Sequence, residues 1–210
     1  MTGGDESMGG YRRYRMHLGE EAVRGRLPLA LRRGMFGPLG RWYPKADWAP
    51  RSLRAKTTFQ ALAMEACRHT ATAWSQLRGD ERCALFSPAF QRSLGGYGAL
   101  EVFRLHAGQA QTEDPLALIQ YLDYKTWLVG DINTKVDRAS MAHSLEVREP
   151  LMDHLLVEWL ATLPQRLQDS AQARARSSSS RAYEPLLPRE VLYRPKMGFS
   201  VPLRPGCAAL

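Results

Sequence analysis

The stretch Asp131-Ile132-Asn133-Thr134-Lys135-Val136-Asp137-Arg138-Ala139-Ser140-Met141-Ala142-His143-Ser144-Leu145-Glu146-Val147-Arg148-Glu149-Pro150-Leu151-Met152-Asp153 decides how the rest of the chain is read. It crowds Asp131, Lys135, Asp137, Arg138, Glu146, Arg148 and Asp153 into 23 residues. On a helix Thr134, Asp137 and Arg138 share a face, which predicts that these charges are not all dispersed in solvent. Either they are gathered for chemistry or they form an ion-pair cluster that orients two helices, and for Glu146 and Arg148 the second reading is favoured. His143 has no Cys or His close by in sequence and reads as a hydrogen-bonded structural histidine.

Helical patterns surround this stretch. Upstream, Asp114 before Pro115 is an N-cap followed by proline at the first helical position, and Leu116, Ile119, Leu122, Trp127 and Val129 carry an apolar face on to Gly130. A second helix is expected from about Thr134 to Ser144 and a third from Pro150 to Leu163, stopped by Pro164. Further upstream, Tyr11, Tyr14 and Leu18 mark a helix from Gly9 to about Glu21. Between Gly25 and Pro50 four glycines and four prolines predict short helical turns, residues 57–78 one longer helix, and Glu81–Leu94 a helix broken at Pro88. The serine and arginine run at 168–182 reads as a mobile loop. No stretch alternates in the manner of a strand, so the chain is expected to be mainly α.

The size and composition fit a globular domain or a large piece of one: 210 residues, 44% hydrophobic and 24% charged. No apolar run is long enough to span a bilayer, and Asp5 and Glu6 near the start do not suit a secretory signal, so a cytoplasmic location without membrane contact is expected. Cys67, Cys83 and Cys207 are odd in number and widely spaced, which predicts reduced thiols. The net charge of +8 is unevenly spread: +7 over residues 1–60, −4 over 61–170 and +5 over 171–210. If the two basic ends meet, they form a site suited to phosphates; otherwise they are solvated helix faces.

Two further segments carry chemistry-bearing residues. Thr2-Gly3-Gly4-Asp5-Glu6-Ser7-Met8-Gly9-Gly10 places glycine pairs around two carboxylates before a helix, a pattern that lets backbone approach a ligand and lets Asp5 hold Mg²⁺ against phosphate oxygens. A flexible turn is the plainer alternative. Tyr193-Arg194-Pro195-Lys196-Met197-Gly198-Phe199-Ser200-Val201-Pro202-Leu203 fixes the backbone on both sides of Lys196, as a loop presenting an ammonium to a polyphosphate would, or as an ordinary surface loop does.

Taken in order, the three segments resemble the synthetase half of the glutamine-dependent asparagine synthetase family. Gly3-Gly4-Asp5-Glu6 with Gly9-Gly10-Tyr11 is similar to its G-[GS]-D-E-x-x-x-G-Y segment, and Tyr193–Leu203 to its R-x-K-x-G-F-x-V-P segment. Thr134–Asp153 is similar almost throughout to T-K-x-D-R-x-S-M-A-x-S-L-E-V-R-x-P-x-x-D. The wording around Tyr11–Tyr14 and Val147–Asp153 is closest to amidotransferases found with bacterial exopolysaccharide and protein-sorting gene clusters.

The resemblance implies the helical C-terminal part of an α/β adenine-nucleotide α-hydrolase-like domain, a PP-loop ATP pyrophosphatase fold. Such enzymes hydrolyse glutamine in one domain and, in the other, use Mg-ATP to adenylate a carboxylate such as that of aspartate, which ammonia then attacks. Carried over, Gly3, Gly4, Asp5, Glu6 and Lys196 would bind the nucleotide, with Asp5 the Mg²⁺ carboxylate and Lys196 neutralising charge on the α- and β-phosphates. Asp131 and Asp137 would lie near the acceptor or its adenylate.

The family's catalytic cysteine, glutaminase domain and S-G-G-x-D-S pyrophosphate loop have no counterpart in the sequence. A C-terminal fragment, inactive alone, is therefore expected, divided into 1–21 (glycine turn and helix), 22–113 (irregular helical), 114–167 (helical core with signature), 168–182 (loop) and 183–210 (lysine loop and tail). The alternatives are a helical scaffold that pairs with a separately encoded N-terminal half and, on charge alone, a basic module binding nucleic acid without sequence specificity.

Overall fold

The computed structural model describes residues 3–44, 50, 55–75, 79–164 and 183–193. The chain divides into two compact units, Met1–Ala175 and Arg176–Leu210. In the first, eleven helices follow one another among the described residues: α1 Gly4–Ser7, α2 Arg12–Arg24, α3 Leu29–Trp42, α4 Lys56–Leu62, α5 Ala66–Trp74, α6 Gly79–Leu85, α7 Pro88–Ser93, α8 Leu100–Gln109, α9 Pro115–Asp123, α10 Thr134–Met141 and α11 His154–Ala161. A π-helix, Tyr124–Asn133, joins α9 to α10, and a 3₁₀ turn, Pro150–Met152, precedes α11. No strand occurs among the described residues. The second unit holds α12, Arg189–Leu192, beside which Tyr193 Oη donates to Glu184 Oε1 at 2.6 Å.

The centre of the first unit is where α2 crosses α9. Tyr14, Leu116 and Ile119 are buried there, with Tyr11 and Leu18 packed against them. Asp114 caps α9 as its sequence predicts, its Oδ1 accepting from the N–H groups of Leu116 (2.8 Å) and Ala117 (2.9 Å). Asp114→Ala is expected to cost about 1 kcal/mol, read as a lower urea midpoint; an unchanged midpoint would mean the cap is replaced by water at no cost.

Three expectations need correction. The stretch after Gly25 is not a set of short turns, because α3 runs 14 residues straight through Pro38. Packing on α4 overrides local propensity: Phe36 stacks on Phe59 (6.1 Å), Tyr43 meets the same ring edge-on (5.4 Å), and Gly40 lets the Gln60 backbone come close enough for Gln60 Nε2 to donate to Gly40 O at 3.0 Å.

The single helix expected over 57–78 is two, α4 and α5. Two arginines take up the carbonyls at the break: Arg32 Nη1 donates to Leu62 O (2.6 Å) and Met64 O (3.0 Å), and Arg24 Nη2 to Ala61 O (3.0 Å). Cationic donors satisfy the groups left open at a helix C-terminus.

The apolar face beyond α9 is also shifted. Leu128 is buried and Val129 is exposed, because the wider π turn sets Leu128, five residues after buried Asp123, on the core side.

Candidate functional site

The glycine turn is built by what its glycines exclude. Gly3 has φ +84°, and a Cβ there would fall 2.3 Å from Met152 Cγ; one on Gly4 would fall 2.9 Å from Leu151 Cδ1. The opening turn and the end of the signature stretch therefore press directly on each other. A Cβ on Gly10 would sit 2.1 Å from Asp5 Oδ1, so glycine there lets the Asp5 carboxylate lie across the backbone, while Gly10 N–H donates to Asp5 O at 2.8 Å.

Polar side chains from α9 and the π-helix fasten this turn. Gln120 Nε2 donates to Glu6 O (2.8 Å) and Ser7 O (3.3 Å). Ser7 Oγ donates to Gly3 O (2.6 Å) and lies 2.5 Å from Tyr124 Oη. The Glu6 carboxylate is buried and accepts from Tyr11 Oη at 2.7 Å; burial first, and then this contact, push the Tyr11 phenol up from its usual range. Below it Asp123, fully buried, pairs with Arg13 and accepts from Tyr14 Oη at 2.5 Å. Arg13 lies over the Tyr11 and Tyr14 rings, 5.0 and 4.7 Å from their centroids.

Sequence reasoning passed over Gln120, Asp123 and Tyr124. The signal was present for Asp123, since it falls on the buried stripe begun by the apolar Leu116 and Ile119 at helical spacing, and a carboxylate there demands a cation.

The signature residues lie differently from expectation. Asp137, Arg138, Glu146 and Arg148 are exposed, and Glu146 pairs with Arg148 on a surface loop where the pair orients no helices. Asp131 is partly exposed, 3.4 Å from Lys135 one turn on. His143 is exposed rather than built into the core. The helix expected to reach Ser144 ends at Met141 in a Schellman turn, with Leu145 N–H donating to Ser140 O (3.0 Å), Ser144 N–H donating to Met141 O (3.0 Å), and Ser144 at φ 55°.

This turn sends the chain back along α10 and opens a cleft of about 290 Å³ lined by Asn133, Val136, Asp137, Val147, Arg148, Glu149 and Met152. Met152 is also the side chain against Gly3, so cleft and glycine turn share a wall. Asp137 thus faces the cleft together with Arg148 and Glu149, whereas Asp131 is not part of its lining. Lys196 and the expected loop at 168–182 lie outside the described residues.

The sequence model of asparagine synthase matches residues 2–207. The chain belongs to the asparagine synthase family. A putative glutamine-hydrolysing asparagine synthetase of Mycobacterium bovis is 42% identical over 91 residues, 43% of this chain and 14% of the relative. Glutamine-hydrolysing asparagine synthetase 1 of Bacillus subtilis is 32% identical over 104 residues, 50% of this chain and 16% of that protein. The enzyme of Gallus gallus is 35% identical over 68 residues, 31% and 12% respectively. These matches thus span about a seventh of the curated relatives' length. No solved structure matches. Family membership accords with the nucleotide-hydrolase-like fold class, of which the described residues are helical. None of those helices is long and apolar enough to cross a membrane.

Proposed function

We propose that this asparagine synthase-family chain forms the helical part of the synthetase half of an ATP-dependent amidotransferase. In that reaction a carboxylate acceptor such as aspartate attacks the α-phosphorus of ATP, pyrophosphate leaves, and ammonia derived from glutamine attacks the acyl carbon and displaces AMP. The observation that carries the reading is the shared wall: Gly3 and Gly4 pressed on Leu151 and Met152, with Met152 continuing into the cleft that Asp137, Arg148 and Glu149 line.

The residues suit the groups involved. Glycines leave room for a phosphate to approach backbone, and the Asp5 carboxylate is a hard oxygen donor of the kind Mg²⁺ prefers. Mg²⁺, when bound, would neutralise phosphate oxygens. Asp5 would hold it, Lys196 would offset charge on the α- and β-phosphates, Glu6 would keep the turn rigid through Tyr11, and Asp137 with Arg148 would orient the acceptor, Asp131 lying further along the same helical stretch. The 210 residues contain no S-G-G-x-D-S loop, so activity requires that loop from elsewhere in the same polypeptide or from a companion chain.

Exposed apolar side chains support such a companion. On α11 Leu160 is buried while Leu155 and Trp159 on other faces are 65% and 58% exposed, which is the pattern of a helix that packs on two sides, as in a layered α/β domain.

Supplying the 210-residue chain with a PP-loop-bearing N-terminal half should give AMP formation from ATP, aspartate and ammonia, with none from the chain alone. Asp5→Asn or Asp137→Asn should lower that restored rate by about 100-fold or more. Robust turnover by the chain alone would sink the fragment reading. Restored turnover indifferent to both substitutions would instead favour a helical scaffold that only completes its partner, a role the apolar face of α11 also suits.

A further inference from the structure

Away from the shared wall, α2 and α5 bring together a group of ligand-type side chains that the synthetase reading does not use. His17 and Glu20 stand three residues apart on α2 and share a face, and α5 sets His69 against them. One donor atom from each lies within 4.8 Å of the others. Glu20 Oε2 is 3.2 Å from His69 Nδ1, close to the edge of about 3.3 Å in a tetrahedron of bonds about 2.0 Å long.

One ring nitrogen of each histidine is left open, while His17 also keeps a hydrogen bond to the Pro115 backbone. His17 Nδ1 and His69 Nδ1 are both buried without a hydrogen-bond partner, the contact from His69 to Glu20 lacking hydrogen-bond alignment. His17 is only 2% exposed. Burial first, and then the Arg24 guanidinium, bring both imidazoles down to about 4, so each is neutral at pH 7 and carries a free lone pair. An uncharged buried imidazole with an unused nitrogen costs stability unless something occupies that nitrogen.

Arg24 does not close the site. Its Nη1 bonds Glu21 Oε1 at 2.5 Å and its Nη2 bonds Ala61 O at 3.0 Å, while its contact with Glu20 Oε2 is the longest of the three at 3.3 Å. Glu20 can therefore turn to a cation while Arg24 keeps its other two partners. Glu21 Oε1, 3.9 Å from His17 Nε2, adds negative charge on the same side. His69, with a quarter of its side chain exposed, provides a route in from solvent.

We propose that His17, Glu20 and His69 form a binding site for one zinc-class divalent cation, with water as the fourth ligand, clipping α5 to α2. Two imidazole nitrogens and one carboxylate oxygen suit Zn²⁺ and its congeners, whereas Mg²⁺ and Ca²⁺ demand more oxygens. Because the three ligands come from segments about fifty residues apart, the cation would stabilise the folded chain by binding it and not the unfolded one. The proposal is independent of the synthetase reading.

The full 210-residue chain, freed of metal with a chelator, should take up one equivalent of Co²⁺ with the visible absorption of a four-coordinate site lacking thiolate charge-transfer bands. Zn²⁺ should displace Co²⁺ and raise the thermal midpoint, and Mg²⁺ at the same concentration should do neither. His69→Gln and Glu20→Gln should weaken Zn²⁺ binding by at least about 100-fold and abolish the midpoint shift. A background with Cys67, Cys83 and Cys207 changed to Ser should bind as before. Binding that survives His69→Gln, that disappears with the cysteines, or that is absent at tens of micromolar zinc overturns the site. Should the His69 variant fail to fold, the cobalt spectrum of the unaltered chain decides on its own.

Discussion

Asp123→Ala is expected to remove about 3–5 kcal/mol of stability, a large share of the about 5–15 kcal/mol that holds an ordinary domain folded. Asp123 has no exposed surface and answers both Arg13 and Tyr14. Deleting it strands a buried phenol hydroxyl and takes from Arg13, partly covered between two tyrosine rings, the carboxylate it pairs with. Tyr14→Phe removes one hydroxyl and should cost only about 1–2 kcal/mol. Urea denaturation of the two variants beside the parent chain measures both; a loss below about 1 kcal/mol for Asp123→Ala would show that Arg13 and Tyr14 find water instead, and that the pair does not organise the α2–α9 crossing.

Gly3→Ala comes next in size, with an expected loss of about 2–4 kcal/mol. Two costs combine: an L-residue at φ +84° is strained by about 1–2 kcal/mol, and the new methyl collides with Met152 Cγ, which must move in a packed setting. The two can be separated. Met152→Ala relieves the collision and leaves the backbone strain, so in a double-mutant cycle the pair should be less destabilising than the sum of the singles by about 1–2 kcal/mol. Strict additivity would mean that the glycine turn and the 150–152 turn are not in contact, and the shared wall would lose its basis.

What the sequence revealed and what it hid divide along physical lines. The α9 start was legible because Asp114-Pro115 carries its own capping chemistry, and α2 because its aromatic spacing faces one core. The family was legible from the Thr134–Asp153 wording. The break between α4 and α5 was hidden since the donors that end α4 are Arg24 and Arg32, some thirty residues away. The length of α3 was hidden for the converse reason: Pro38 and its glycines argue against a helix locally, and only Phe59 and Gln60 from α4 argue for one. Charge crowding in the signature misled because a loop turning at Ser144 can hold Glu146 and Arg148 in water, where pairing needs no partner helix. Of the candidate site residues, Asp137 lines the cleft beside Arg148 and Glu149, neither of which its sequence marks as a site residue, whereas the role of Gln120 and Tyr124 in fastening the glycine turn arises from contacts more than a hundred residues apart.

The π-helix from Tyr124 to Asn133 makes residue count itself a specification. Asp123 at its start looks into the core and Asp137, one turn beyond its end, looks into the cleft. The angle between those two directions is a phase set by how many residues the wide turns consume. Dropping one residue from the stretch at unchanged winding would rotate everything from Thr134 onward by about 80–100° about the axis. Every side chain would remain chemically intact, yet Asp137 would leave the wall it shares with Arg148 and Glu149. Exposed positions such as Lys125 and Val129 should therefore tolerate many substitutions while the segment between them tolerates no change of length.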